Sequence, residues 1–224
     1  MHNSRQRAAV IATFCGARPG KDPAYAALAK DFGAALGRRG CGLVYGAGGV
    51  GVMGAVAGAA LAHGATVTGV VPHDLHERER SQRAPGQIFV VQSMHERKAL
   101  MYRLSSAFAV LPGGFGTLDE LMEVATWNQL GMHRKRVVLL NAKGYFDSLL
   151  NFLDVVAQEG FMTYEERNLV YATDDVDEAL DLLTSEPLDD TIGAVSPHRE
   201  GDHERQLFSH NFTESAEEVP AVQP

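Results

Sequence analysis

Ala107-Phe108-Ala109-Val110-Leu111 runs directly into Pro112-Gly113-Gly114-Phe115-Gly116-Thr117-Leu118-Asp119-Glu120, and a helical pattern then continues to Leu130. An apolar strand, a glycine-rich turn, a hydroxyl and a helix, in that order, build an anion site. Glycines let the backbone turn sharply and let a ligand approach closely. The free N–H groups and the dipole of the new helix favour a phosphate. Thr117 reads as the helix cap. Asp119, Glu120 and Glu123 add carboxylates where a phosphate alone would not want them. Glu120 stands one turn inside the helix, and helical side chains lean toward the N-terminus, so its carboxylate should face the loop. Phosphate donors beside an acid point to chemistry on something attached to the phosphate.

The same grammar repeats along the chain. Strands are expected at 8–15, 42–45, 66–71, 88–91, 107–111, 136–140 and 169–172. Helices are expected at 23–39, from the 46–54 glycine loop to His63, at 94–104, from Thr117 to Leu130, at 146–159 and at 176–184. Ser93 and Glu96 have the spacing of a capping box for the helix at Met94. His73 to Gly86 is polar and reads as a surface loop. Alternating strands and helices predict an α/β fold: a Rossmann-like, doubly wound parallel sheet with helices on both faces, in a single domain. Such sheets bind ligands beyond the carboxyl ends of their strands, where both glycine turns fall.

Composition sets the boundaries. A short extension at 1–7 precedes the domain at 8–186, and 187–224 reads as an acidic, disordered tail with no periodicity. The net charge is −8, and the tail's eight acids against two arginines account for −6 of it. The body is near neutral, so no broad basic face for nucleic acid is expected. No apolar run approaches the ~20 residues of a membrane span, and the N-terminus lacks a secretory pattern. Cys15 and Cys41 do not form a disulfide framework. A cytoplasmic protein with no membrane or nucleic-acid partner is the expectation.

Two further stretches bear on the site. Gly46-Ala47-Gly48-Gly49-Val50-Gly51 is a literal G-x-G-x-x-G after a strand. It reads as a dinucleotide site with Asp74 as a distant ribose partner, as glycines serving tight turns, or as one wall of a mononucleotide pocket. The third reading is preferred, with Gly46, Gly48 and Gly49 in that wall. Met94-His95-Glu96-Arg97-Lys98 opens a helix beyond a strand's carboxyl end, so its first turn can face the same cleft. The bland alternative is solvated helix charge. His73 and His76 with Asp74 read as a solvated loop rather than a metal site, and no metal or other cofactor is expected.

Together these residues resemble the Lonely Guy family of nucleoside 5′-monophosphate phosphoribohydrolases, over roughly Ile11 to Leu183. The motifs are Met94 to Lys98, Pro112 to Glu120 with Glu123 and Thr126-Trp127, Leu43 to Gly54, and Phe14 to Gly20. The resemblance implies hydrolysis of a purine nucleotide's N-glycosidic bond, with cytokinin-type N6-modified adenosine monophosphates or AMP releasing base and ribose 5-phosphate. It implies Arg97 and Glu120 as the catalytic pair. Substrate binding would fall to Gly113, Gly114, Phe115, Gly116, Thr117, Leu118 and Asp119, with Glu79, Met94, Lys98, Glu123 and Thr126. Family members usually carry Glu at position 119, and often two serines where Ala17 and Arg18 stand. A homodimer is implied too. The alternative is a non-catalytic nucleotide carrier or sensor on the same fold. Lysine decarboxylation, an older label for relatives, is rejected, because none of the five lysines sits in a recognisable pyridoxal setting.

Overall fold

The computed structural model describes residues 8–78 and 84–187. Its sheet is wholly parallel, and the strand order across it is β4-β3-β2-β1-β5-β6-β7. The strands are β1 (Val10–Phe14), β2 (Gly42–Tyr45), β3 (Val67–Pro72), β4 (Gln87–Val91), β5 (Ala107–Val110), β6 (Val137–Leu140) and β7 (Val170–Thr173). The helices are α1 (Pro23–Arg38), α2 (Gly51–Ala62), α3 (His73–Arg78), α4 (Met94–Leu104), α5 (Phe115–Gln129), α6 (Asp147–Gln158), α7 (Tyr164–Arg167) and α8 (Val176–Thr184).

Period-two alternation divides the strand side chains between two cores. Ile11, Leu43, Tyr45 and Leu140 face Phe32, Leu36, Val56 and Leu180, which come from α1, α2 and α8. Ala12, Phe14, Val44, Phe108 and Leu139 face Met101, Tyr102, Leu121 and Val124, which come from α4 and α5. Helices therefore cover both faces, as the near-continuous apolar strands require.

The strand order fixes where a ligand can enter. From β1 the chain winds outward through β2, β3 and β4, then returns to the opposite side of β1 with β5. The switch point lies between β1 and β5, and the crevice beyond their carboxyl ends is the expected binding place. The Leu111 N–H donates to the Phe14 carbonyl, and the Gly16 N–H donates to the Pro112 carbonyl (3.1 Å). These bonds hold the two exit loops side by side.

Three local expectations are corrected. The stretch after β3 is not all loop: His73 to Arg78 forms α3, because His73 to Arg78 contains no glycine or proline to stop a turn of helix. α5 begins at Phe115 rather than Thr117, with Gly114 in extended backbone at the cap position and no side-chain cap. Ser93 caps α4 as expected, but the Glu96 carboxylate reaches back to the Gln92 N–H, one residue short of a closed capping box. The expected tail lies outside the described residues, Pro187 apart.

Candidate active site

A cavity of about 500 Å³ opens at the switch point. Its walls are the β1 exit loop (Cys15 to Gly20), Tyr25 of α1, Val52 and Met53 of α2, Arg97 of α4, Pro112 to Thr117 and Glu120 from the β5 exit, and Tyr145. Elements separated by more than a hundred residues converge here because the switch point gathers their ends.

Arg97 and Glu120 are the two charged groups buried in this wall, 8% and 5% exposed. Arg97 Nη2 stands 3.8 Å from Glu120 Oε1, close enough for attraction and too far for a hydrogen bond. The other guanidinium contacts are weak: Nη2 to the Gly46 carbonyl at 3.4 Å and Nη1 to Met94 Sδ at 3.9 Å. Arg97 Nε is buried with no hydrogen-bond partner. A cation held this way has donors to spare for acceptor oxygens. Burial pushes the Glu120 carboxyl up to about 7, and the nearby Arg97 charge only partly counters it. Desolvation therefore outweighs the ion pair, and Glu120 can exchange a proton near neutral pH. Cys15 also lines the cavity, but burial above all, with Glu120 second, drives its thiol far upward. It is a neutral packing group, not a nucleophile.

The two glycine loops treat this cavity differently. A Cβ at Gly46 would lie 1.8 Å from Arg97 Nη2, so the guanidinium already fills the space that glycine leaves. A pyrophosphate would need that approach, and the dinucleotide reading loses its cradle. In the second loop a Cβ at Gly113 would meet Thr117 Oγ1 at 2.1 Å, so Gly113 serves packing of the loop on its own helix. Gly114 and Gly116 are unlike both. Neither has a positive φ, and a Cβ on either would meet nothing within 4 Å. They border open space at the entrance of α5, whose first N–H groups have no partner within the helix.

The profile described as "Possible lysine decarboxylase" matches residues 53–183. The chain is 48% identical to the "Probable cytokinin riboside 5'-monophosphate phosphoribohydrolase LOGL5" of Oryza sativa subsp. japonica, over 72% of this chain and 66% of that one. It is 46% identical to the cytokinin riboside 5'-monophosphate phosphoribohydrolase LOG7 of Arabidopsis thaliana, over 76% and 78%. The chain belongs to the Lonely Guy (LOG) family. Among solved structures, the Moco carrier protein of Chlamydomonas reinhardtii superposes with a TM-score of 0.58 at 20% identity, covering 78% of this chain and 94% of that one. That likeness shows a shared Rossmann-like fold and nothing finer.

Of the residues the LOG resemblance implies, Arg97, Glu120 and Gly113 to Thr117 meet at the cavity. Lys98, Asp119 and Glu123 form a separate cluster outside its lining. Lys98 Nζ lies 3.2 Å from Asp119 Oδ2 and 2.8 Å from Glu123 Oε2, and the Tyr102 hydroxyl donates to Glu123 Oε2 at 2.6 Å. Burial works against the Lys98 ammonium, but the hydrogen bonds to Glu123 and Asp119 outweigh it and hold its pKa above the usual lysine range. Leu118, Met94 and Thr126 also fall outside the lining, with Met94 and Thr126 exposed. Gly46, Gly48 and Gly49 stand behind it, and the wall there is built by Val52 and Met53 instead. Glu79 lies outside the described residues. Tyr25 and Tyr145 were not expected at the site. Their only sequence signal is position: each follows closely on the carboxyl end of a strand or its exit loop.

Proposed function

We propose that the domain at 8–186 hydrolyses the N-glycosidic bond of purine nucleoside 5′-monophosphates, cytokinin-type N6-modified adenosine monophosphates and AMP among them. The products are free base and ribose 5-phosphate. One observation carries this reading: a buried, under-bonded Arg97 and a proton-exchanging Glu120 line the same cavity as the open entrance of α5. The activities for which the rice and Arabidopsis relatives are named support it.

In this mechanism the 5′-phosphate sits at the entrance of α5, against Gly114 and Gly116. As the bond from the anomeric carbon to the base nitrogen breaks, positive charge builds on the sugar. The Glu120 carboxylate stabilises that charge and orients the water whose oxygen bonds the anomeric carbon. Arg97 stays protonated and clamps substrate oxygens through its spare donors. The base leaves with the electron pair and takes up a proton, and the attacking water gives one up as its oxygen bonds the anomeric carbon, so the protons balance over the reaction. Decarboxylation of lysine fits poorly, since the cavity lining contains no lysine for a Schiff base. A homodimer belongs to the reading, and the large apolar side chains exposed at Phe89, Val90 and Met94 support it.

Incubation with AMP and isopentenyladenosine monophosphate, followed by chromatography, should yield free base, while the matching nucleosides should stay intact. Glu120→Gln should lower turnover by ~10²-fold or more with nucleotide binding still measurable. Near-normal turnover in that variant would overturn the assignment of Glu120.

A further inference from the structure

Tyr145 stands in the loop between β6 and α6, more than thirty residues from the glycine turn it touches. Its hydroxyl donates to the Gly113 carbonyl at 2.5 Å. That carbonyl belongs to the Gly113–Gly114 peptide, which leads into α5. A peptide unit is planar and trans, so fixing its C=O fixes its N–H on the opposite edge. Between two glycines the unit is unusually free to rotate, because no Cβ on either side resists a flip. One orientation offers the Gly114 N–H to an anion; the flipped one turns the negative end of the carbonyl toward it.

The loop that carries Tyr145 is built to stay still. Asn141 Oδ1 accepts from the Phe146 N–H, and Asn141 Nδ2 donates to Asp147 Oδ1, each at 2.7 Å. Lys143 Nζ reaches Asp22 Oδ2 at 2.6 Å, tying the loop to the start of α1. The Tyr145 ring packs edge-on against Tyr25 and Phe146, with centroids 5.4 and 4.9 Å apart. The hydroxyl is therefore presented from a fixed ring on a fixed loop.

We propose that Tyr145 is a positioning residue: its hydroxyl locks the Gly113–Gly114 peptide in the orientation that offers the Gly114 N–H to the substrate's 5′-phosphate. This rests on the hydrolase reading for the identity of the substrate, but not for the anion itself. Tyr145→Phe keeps the ring and removes the lock. The variant should melt within about 2 °C of the parent. It should bind ribose 5-phosphate about fivefold more weakly by calorimetry, the worth of one hydrogen bond. If AMP is cleaved, KM should rise by a similar factor and kcat should change less than twofold. The Gly114 amide resonance should also shift in the free protein. Equal affinity of parent and variant for ribose 5-phosphate would overturn the proposal, and so would a parent that does not bind it. Failure of AMP cleavage with the binding difference intact would sink the hydrolase reading alone and leave the lock standing.

Discussion

Two glycine-rich turns flank the same crevice, and their glycines answer to different demands. At 46–51 the space beside Gly46 is taken by the protein's own Arg97. At 113–116 the space beside Gly114 and Gly116 is empty. The first turn seats a catalytic candidate, and the second leaves room for something the chain does not supply. Glycine thus serves an internal fit in one turn and leaves room for an external one in the other. The G-x-G-x-x-G spelling cannot distinguish them, because the atom that fills the gap lies fifty residues away.

The comparison breaks or sharpens on substitution. Gly46→Ala has the largest expected effect. Its methyl forces the guanidinium out of its seat, and a displacement of about 1 Å costs on the order of 10²-fold in turnover. The displaced atom ends a flexible side chain, so circular dichroism should report an intact fold. Undiminished turnover would mean that Arg97 has no need of that seat.

The burial of Glu120, only partly countered by Arg97, has a pH signature. The folded pKa of Glu120, about 7, lies above its ordinary value of 4.5, so the native state binds the extra proton between those limits. Stability therefore falls as pH rises through that window, by about 3 kcal/mol at pH 8 from this group alone. Glu120→Gln should flatten that part of the profile in urea unfolding at pH 5 and pH 8. The carboxylate role predicts that kcat/KM rises with pH through an acid limb near 7.

Gly116→Ala probes the second turn. Gly116 lies in the first turn of α5 with no neighbour to clash. Alanine should raise stability by up to about 1 kcal/mol through helix propensity, while weakening 5′-monophosphate binding tenfold or more. A variant both stabler and fully active would show that nothing docks there. The smallest effect is expected at Ala47, whose φ of +58° is costly for a residue with a Cβ. Ala47→Gly relieves that strain but loses a buried methyl and adds chain entropy, so Tm should move by less than about 2 °C.

Much of this was legible in the order of residues. Strand and helix periods gave the doubly wound sheet, and the acid one turn inside α5 marked Glu120 as facing the loop. What stayed hidden depends on distance in sequence. Lys98 reads as a cleft residue from its place beside Arg97, yet Asp119 and Glu123, one helix over, claim its ammonium. Thr117 has the chemistry of a cap, but the helix starts two residues earlier, at Phe115, and the cap position goes to Gly114. Tyr25 and Tyr145 carry no motif, and only the folded sheet brings them to the cavity.

A crystal structure of Glu120→Gln with AMP tests the central claim most directly. The account predicts the phosphate within hydrogen-bond distance of the Gly114 and Gly116 amides, the anomeric carbon beside the residue 120 side chain, and Arg97 on the ribose or phosphate oxygens. A phosphate lodged in the 46–51 turn, or a sugar turned away from residue 120, would contradict it.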